Sequence, residues 1–438
     1  MELVGFDRPD NRSRGVRDPL LLQAAVWDSG GLPVCLLAMD SLGLTKDRAD
    51  RLRDVAAGEL GVGRERVMAC FSHTHAAPNA ALEARYFDGV VEQARDCARR
   101  AREGLVPVEA AWGLGEAEIG VNRRDPQGPL DRRIGVLEAV EEGTGKPRLL
   151  LLRLTAHANV LLSDNLLASA DFLGAVRTAL ARERGCPVMV TQGAAGNVRP
   201  RFRHSEARLF EERPREAAAR LLAPGVAERL SRESDEALGR MAEEVRACVD
   251  GVRKGLSHAP IRRLDAFSLR LACSADVPGR ERALRIAEEA RREAGIDGAA
   301  WLAEAERFRQ AGIRRQEGEM EIQFLALGDG CLCGTAEEAM CETSLEVSRK
   351  AGDGLLLFGG YTNGCGGYLP TAAEYDKGGF ETLWSNLIYF PYQGRIMPWN
   401  RETATNAAEA AARRWARFLE EEKARQRRPA DLDTEVRP

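Results

Sequence analysis

The stretch ERVMACFSHTHAAPNA, residues 65–80, places an apolar run directly before two histidines that stand one residue apart. The run has the composition of a buried β-strand, and the polar residues begin where such a strand would end. Side chains two residues apart on an extended backbone point to the same face, so His73 and His75 could converge on one centre. The stretch therefore predicts either a metal site at a strand end or two imidazoles that cap the strand.

Short apolar runs alternate with charged amphipathic stretches on both sides of these histidines, from residue 20 to residue 200. LPVCLLAMD (32–40) and PVMVTQG (187–193) are typical of strands, whereas KDRADRLRDVAAGEL (46–60) has the spacing of a helix. This alternation is typical of an α/β domain. We therefore expect the unusual residues that follow the strands to lie close together.

The whole chain reads as a mixed α/β (α+β) fold with one large catalytic domain, in which mixed β-sheets are flanked by helices. We assign this domain to residues 1–425 and a charged tail to residues 426–438. Residues 205–317 are dense in Glu, Arg and Ala at helical spacing, which predicts a charged, helix-rich insertion within the domain.

The composition excludes several classes of protein. Hydrophobic residues make up 44% of the 438 residues, charged residues 30%, and the net charge is only −4, which excludes a disordered chain and a nucleic-acid-binding footprint. No apolar run approaches the roughly 20 residues that a membrane helix needs. The N-terminus MELVGFDRPDNRSRG lacks a secretory signal, and the ten cysteines are scattered. We therefore expect a cytoplasmic protein that acts on a small molecule and has no nucleic-acid or membrane partner. A homo-oligomer is possible on these grounds.

A third histidine, His157, also follows an apolar run and could meet His73 at the same edge of the sheet. Zinc held by two histidines and a carboxylate leaves a position for water, whose pKa falls toward about 7. The spacing does not choose among the carboxylates at similar strand ends, which are Asp40, Asp171, Glu337 and Glu338.

Six motifs follow one another along the chain: SHTHAAP (72–78), NRR (122–124), AHANVLLSDNLLASADF (156–172), QGAAGNVRPR (192–201), GTAEEAMCE (334–342) and NGCGGYLPTAAEYDKGGFE (363–381). In this order and approximate spacing they resemble the neutral/alkaline (non-lysosomal) ceramidase family. The chain looks like a bacterial relative of that family over about residues 15–395. The resemblance implies a hydrolase of amide bonds that holds one Zn²⁺ per chain.

The resemblance also implies a set of zinc ligands, namely His73, His157, Glu338 and Tyr368. Glu338 fits the family's register better than its neighbour because Glu342 stands four residues behind it. The second histidine of the opening stretch then stands beside the metal. A near-neutral imidazole at that place suits the movement of a proton from water to the leaving amine.

The remaining site residues follow from the same resemblance. The expected catalytic residues are His75, Arg123 and Tyr368, with Arg123 on the substrate carbonyl or the developing oxyanion. Alternatively, Arg123 could be a solvent-exposed charge in a turn without a role in the site. The expected substrate-binding residues are Asn122, Asn197, Arg199 and Phe380. Asp40 and Asp171 are expected to support the site or to cap backbone amides.

The chain also departs from the family pattern. Asn197 and Arg199 stand where ceramidases carry a serine, and Phe380 replaces a second tyrosine twelve residues after Tyr368. We also expect the protein to lack the family's C-terminal immunoglobulin-like domain. We therefore expect a soluble N-acyl-type amide as substrate rather than ceramide. Cleavage of a glycoside, ester or lactone on the same fold, or a non-catalytic small-molecule binder, are the alternatives.

Overall fold

The computed structural model describes residues 1–427 of the 438-residue chain. These residues form eighteen strands: β1 (Gly15–Val16), β2 (Leu22–Trp27), β3 (Val34–Met39), β4 (Val67–Phe71), β5 (Val108–Glu116), β6 (Gly120–Asn122), β7 (Arg133–Glu141), β8 (Pro147–Leu154), β9 (Leu167–Ala168), β10 (Val188–Gln192), β11 (Val198–Pro200), β12 (Ala259–Pro260), β13 (Leu264–Asp276), β14 (Arg315–Leu327), β15 (Gly330–Thr335), β16 (Glu338–Ala339), β17 (Leu356–Gly359) and β18 (Tyr368–Leu369).

The same residues form twelve α-helices: α1 (Lys46–Leu60), α2 (Ala84–Glu103), α3 (Asp171–Arg184), α4 (Ala207–Glu212), α5 (Pro214–Ala217), α6 (Val226–Arg253), α7 (Arg280–Ala294), α8 (Ala299–Gln310), α9 (Cys341–Ala351), α10 (Ala372–Lys377), α11 (Asn386–Gln393) and α12 (Thr403–Arg427). A π-helical turn spans Phe380–Trp384.

Helix α1 illustrates how the sequence pattern becomes structure, because it forms over the residues that were predicted for it. Ala49, Leu52, Ala56 and Leu60 recur every three or four residues, and all four are buried. The helix ends at Gly61, whose φ of 71° is left-handed and whose N–H bonds to carbonyls of the last turn. Glycine adopts this conformation without the steric cost that a side chain would meet.

Most strands belong to three mixed sheets. Their strand orders are β10-β8-β7-β5-β12, β13-β14-β15-β17 and β2-β3-β4. Each sheet contains one parallel pair, namely β10 with β8, β15 with β17, and β3 with β4, while the other neighbours are antiparallel. The predicted fold class, mixed α/β sheets flanked by helices, is therefore confirmed.

The three sheets meet in one apolar cluster, which includes Trp27, Leu36, Leu151, Leu325 and Leu357. Helices α1 and α2 cover the outer face of the three-stranded sheet, and α3 and α6 cover the five-stranded one. Helices α7, α8, α9 and α12 cover the four-stranded sheet. Burial of apolar area between these layers is the main favourable contribution to folding.

The range predicted to be a helix-rich insertion, residues 205–317, contains helices α4 to α8 and also strand β13. This strand pairs with β14 along its whole length, so it is part of the four-stranded sheet. The charged tail predicted for residues 426–438 lies, from residue 428 onward, outside the described residues. Among residues 1–427, none of the helices combines the length and the apolar character that crossing a bilayer requires.

Three two-stranded sheets bring distant loops together. Strand β6 pairs with β11, so Asn122 lies opposite Val198, and β16 pairs with β18, so Glu338 lies opposite Tyr368. A third pair joins β1 to β9 near the N-terminus. These short pairings connect the segments that follow the carboxyl ends of the long strands, and the candidate site lies among them.

Candidate metal centre

Three histidines lie together where β4 and β8 end. One ring nitrogen from each of His73, His75 and His157 lies within 4.8 Å of the others. The ring centroids of His73 and His157 are 4.7 Å apart, and those of His73 and His75 are 5.1 Å apart. All three rings are buried, so the histidines that the sequence placed at strand ends do converge on one centre.

Glu338, which follows β15, brings a carboxylate into this cluster. Its Oε2 lies 3.2 Å from Nε2 of His73 and 3.4 Å from Nε2 of His157, and the side chain is 1% exposed. Burial alone would raise the pKa of Glu338, but the adjacent His73 and His157 hold that pKa well below its usual value. The neighbouring Glu337 instead accepts hydrogen bonds from Thr335 and Trp399.

Backbone carbonyls fix the orientation of both ligand candidates. Nδ1 of His73 lies 2.6 Å from the carbonyl oxygen of Leu42, and Nδ1 of His157 lies 2.8 Å from that of Ala195. A carbonyl can only accept a hydrogen bond, so each ring carries its proton on Nδ1 and presents a free Nε2 lone pair. Burial, followed by the charge of Arg123, lowers the pKa of His157 to about 4, which keeps this ring neutral.

The backbone of His73 adopts a left-handed conformation, with φ of 60°. Few residues other than glycine take this conformation, and such strain is concentrated at functional sites. The conformation turns the chain sharply after β4 and aims the imidazole at Glu338.

These atoms fit a zinc ion. Nε2 of His157 and Oε2 of Glu338 are buried and have no hydrogen-bond partner within the described residues. Two imidazole nitrogens and a carboxylate oxygen form one of the donor sets that hold zinc in catalytic sites. A bound cation would satisfy the two unpartnered atoms, because it would take the lone pairs that no donor contacts.

His75 lies beside these ligand candidates, under the N-terminal segment. Its Nδ1 is 3.1 Å from the carbonyl oxygen of Gly5, and its ring is 4.9 Å from the ring of Phe6. Its Nε2 has no partner among the described residues. Burial, followed by the neighbouring His73 and His157, lowers the pKa of His75 well below its usual value. The neutral ring can therefore accept a proton at Nε2.

Arg123 and Tyr368 form the opposite side of the centre. Nη2 of Arg123 donates to the hydroxyl of Tyr368 at 3.0 Å and to the carbonyl of Gly196 at 2.6 Å. Its Nε forms an ion pair with Glu381 at 3.0 Å. Burial disfavours the charged guanidinium of Arg123 and would lower its pKa. The neighbouring Tyr368 and Glu381 outweigh this effect and raise the pKa above its usual value. The structure places Arg123 in a buried network and excludes the surface-turn alternative.

Asn122 and Asn197 lie near the centre, but their side chains bond to protein. Asn122 donates to the carbonyl of Pro129 and accepts from two backbone amides of its own loop. Asn197 is fully buried, where it donates to Glu342 and accepts from the backbone N–H of Cys341 at 2.9 Å. This geometry favours a structural role for both residues over the expected substrate contact, because their polar atoms are already engaged.

Arg199 and Phe380 have fewer contacts. Within residues 1–427, the side chain of the half-buried Arg199 forms one hydrogen bond, to the carbonyl of Pro200 at 3.3 Å. The ring of Phe380 is half-buried and lies 6.4 Å from the ring of Tyr368. A substrate contact by either side chain stays a prediction.

The two aspartates lie outside the histidine cluster, and each has hydrogen-bond partners of its own. Asp40 forms a buried ion pair with Arg177, at 2.7 Å, and accepts from the N–H of Leu21. Asp171 accepts from the backbone amides of Val160 and Leu161, which follow His157 in the chain. Neither carboxylate contacts the histidine cluster, and the supporting role expected from the sequence stays a prediction.

Three residues of this region were missed by sequence reasoning. Tyr361 is fully buried, its ring is 4.3 Å from that of His73, and its hydroxyl has no partner in the described structure. It follows the end of β17, so the same strand-end pattern could have identified it. Glu381 and Arg8 carried no comparable signal, because their roles depend on partners that are distant in sequence.

No protein-family model and no curated protein sequence matches the chain. Among solved structures, it is similar to the neutral ceramidase from Pseudomonas aeruginosa, with a TM-score of 0.69 and 16% sequence identity over 100% of this chain and 74% of that one. A ceramidase complexed with C2 matches with a TM-score of 0.68, the same identity and the same coverage. At this identity the likeness establishes the fold, and the predicted neutral-ceramidase-like fold is confirmed.

Proposed function

We propose that the protein is a zinc-dependent hydrolase that cleaves the amide bond of a soluble N-acyl-type substrate. The observation that carries the proposal is the convergence of His73, His157 and Glu338. Within the described residues, Nε2 of His157 and Oε2 of Glu338 have no hydrogen-bond partner. Tyr368 is proposed as the fourth ligand, because β16 and β18 pair it with Glu338. The fold shared with ceramidases, which are amide hydrolases, supports the same reaction class.

When bound, zinc lowers the pKa of a water molecule to about 7 and polarises an amide carbonyl. The unpartnered Nε2 of His75 would accept a proton from the attacking water and return it to the leaving nitrogen. Because the carbonyl of Gly5 holds Nδ1, the proton is exchanged only at Nε2.

Arg123 would stabilise the negative charge that develops on the substrate oxygen. Its guanidinium is fixed by Glu381, Gly196 and Tyr368, so its donors do not need to reorganise during the reaction. The Arg123 bond to the Tyr368 hydroxyl also orients that phenol.

A cytoplasmic location and a small-molecule substrate belong to the same proposal. All ten cysteines are unpaired thiols, as expected in a reducing compartment. Fractionation of cells that express the protein with its natural N-terminus tests the location.

Metal analysis tests the centre directly. We expect about one zinc per chain in the purified protein, loss of that zinc in His73→Ala, and retention of zinc without activity in His75→Ala. His258→Ala is the matched control, since His258 pairs with Glu138 away from the centre. A wild-type protein that takes up no stoichiometric zinc, or a His73→Ala variant that keeps it, would contradict the proposal.

A substrate panel tests the bond that is cleaved. It contains N-acyl amino acids, N-acyl amino sugars, lactones, esters and aryl glycosides, with product release as the readout. Hydrolysis confined to amides agrees with the proposal. Hydrolysis of another bond alone would favour the glycosidase, esterase or lactonase alternative, and zinc without any turnover would favour a binding protein.

A further inference from the structure

The N-terminal segment crosses the candidate metal centre and carries one arginine into the interior. The N–H of Val4 bonds to the carbonyl of Ala77, and Gly5 accepts from His75, so the segment is fastened directly over the histidines. Arg8 follows and is only 3% exposed. Its Nη2 donates to the backbone carbonyl of His75 at 3.1 Å, and its guanidinium carbon lies 5.1 Å from the ring centroid of Phe6.

The guanidinium of Arg8 is only partly satisfied by the described part of the chain. Its Nε and Nη1 are buried without a hydrogen-bond acceptor, and within residues 1–427 no carboxylate forms an ion pair with it. Burial lowers the pKa of Arg8 to about 10, and Asp164 opposes this effect only at longer range. Buried arginines in proteins are normally paired with an anion. An anion therefore fits the site better than a neutral group does.

Arg199 provides a second guanidinium without a carboxylate partner among the described residues. It lies on β11, opposite Val121 of β6, and is half-buried. Burial and then the charge of Arg203 lower its pKa, Glu211 opposes them, and Arg123 adds a smaller lowering effect. The residue before Arg199, Val198, accepts a hydrogen bond from the N–H of His157 at 2.9 Å, so Arg199 directly follows a residue that contacts the centre. Arg203 and Arg123 each have a glutamate partner. Arg199 is thus a second arginine that forms no ion pair within the described residues, and it lies one residue beyond the backbone that contacts His157.

Building on the hydrolase function proposed above, we propose that the substrate carries a carboxylate, which Arg8 and Arg199 bind next to His75. The chemical class is that of N-acyl amino acids, in which the carboxylate lies one carbon from the amide nitrogen. Charge-assisted hydrogen bonds from guanidinium to carboxylate are short and strong. A neutral lipid amide would leave both arginines unpaired.

Matched pairs of substrates test this inference. Each N-acetyl or N-octanoyl amino acid is compared with the N-acyl amino alcohol of the same side chain, which replaces the carboxylate by a hydroxymethyl group. We expect the wild-type protein to prefer the carboxylate by about 10- to 100-fold in kcat/KM. Equal rates for the two members of each pair would overturn the inference and leave the proposed function intact.

Variants separate recognition from structure. Arg8→Gln and Arg199→Gln should each lower kcat/KM for the amino acid about tenfold or more, with little change for the amino alcohol. Arg8→Lys keeps the charge and should lose less. Arg14→Gln is the matched control, because Arg14 is exposed on the same segment. If Arg8 only fastened the segment, Arg8→Gln would reduce both substrates equally, which would overturn the inference.

A binding measurement makes the test independent of turnover. Calorimetric titration of the metal-free protein with N-acetyl amino acids and the matching alcohols measures whether Arg8 and Arg199 recognise the carboxylate. The inference is supported if the wild-type protein binds the acid more tightly than the alcohol and if Arg8→Gln and Arg199→Gln each abolish this difference. This result would support it even if no amide is hydrolysed. Absence of such binding in the wild-type protein overturns it, whatever the rates show.

Discussion

At the scale of single residues, the centre depends on fixing one nitrogen of each histidine. The carbonyls of Leu42, Ala195 and Gly5 each lie against Nδ1 of one ring. All three Nε2 atoms are thereby left to face a common point. The left-handed backbone of His73 adds to this preorganisation, since its strain is tolerated only when the surrounding structure holds it in place.

Glu381 gives a residue-scale prediction, because it is an anchor of Arg123. Its carboxylate pairs with Arg123 at 3.0 Å and with Arg124 at 2.8 Å. Replacing it by glutamine removes the charge and loosens the guanidinium. We expect kcat to fall about tenfold, which is of the size expected for weakening a charged hydrogen bond, with unchanged zinc content.

The matched control for Glu381→Gln is Glu374→Gln. Glu374 pairs with Arg124 and Lys377 but not with Arg123. Steady-state kinetics of both variants should show a loss of kcat only for Glu381→Gln. An equal loss in the two variants would mean that the whole ion-pair network, rather than the position of Arg123, sets the rate.

At the scale of elements, the short turns between strands and helices determine how closely the ligand segments approach one another. Gly196 lies in the turn between β10 and β11, against the backbone carbonyls of Glu338 and Ala339. A Cβ on Gly196 would lie 2.9 Å from the carbonyl oxygen of Ala339 and closer still to that of Glu338. Glycine at this place therefore allows the turn to pack directly on the Glu338 backbone.

We expect Gly196→Ala to displace Glu338 and to reduce zinc content. Overpacking of this kind costs about 1–3 kcal/mol of unfolding free energy. Gly239→Ala is the control, since Gly239 is exposed on helix α6 and nothing lies within 4 Å of an added Cβ. Zinc analysis and chemical denaturation measure both effects. A Gly196→Ala protein with full zinc content would contradict this account of the turn.

Asp171, the first residue of α3, gives a prediction about pH. Burial raises its pKa to about 7 although three backbone amides donate to its carboxylate. A pKa above the unfolded value means that the native state holds the proton more tightly. The contribution of Asp171 to stability is therefore fully present below about pH 4 and is lost as the pH rises through about 7.

Asp171→Asn removes this titration. We compare the unfolding free energy of the wild type with that of Asp171→Asn. The excess of the wild type over the variant should decrease by a few kcal/mol between pH 4 and pH 7, because each unit by which the pKa is raised corresponds to about 1.4 kcal/mol. Urea unfolding of both proteins across this range measures the difference. A difference that stays constant with pH would show that Asp171 is ionised throughout.

At the scale of the whole molecule, the centre joins segments from all three large sheets. His73 follows a strand of the three-stranded sheet, His157 one of the five-stranded sheet, and Glu338 one of the four-stranded sheet. The ligand candidates are 265 residues apart in sequence at the extremes, from 73 to 338. A metal ion at this point would link the sheets to one another.

Zinc should therefore stabilise the whole fold. A ligand that binds only the native state adds about 4.1 kcal/mol when its free concentration is a thousand times its dissociation constant. We expect the thermal unfolding temperature to fall when zinc is removed by a chelator and to return when zinc is added. The same treatment should leave His73→Ala unchanged, and a chelator effect of equal size in that variant would place the stabilising metal elsewhere.

The sequence by itself predicted the fold class, and its strand ends predicted that His73, His75 and His157 could meet. Among the carboxylates, only the resemblance to a family selected Glu338. Strand and helix periods depend on neighbours along the chain, and strand ends mark where side chains leave a sheet. The order of six motifs also led to the correct fold, which the structural likeness confirms.

Only the tertiary structure decided which polar groups are already paired. It placed Asn197 against Cys341 and Glu342, although the sequence had suggested a substrate contact. It also showed that Arg8 is buried and forms no ion pair among residues 1–427. A side chain's partners come from distant segments that meet only after the sheets pack. The sequence could therefore predict candidate ligands, and only the folded chain decided which polar groups have partners within the described residues.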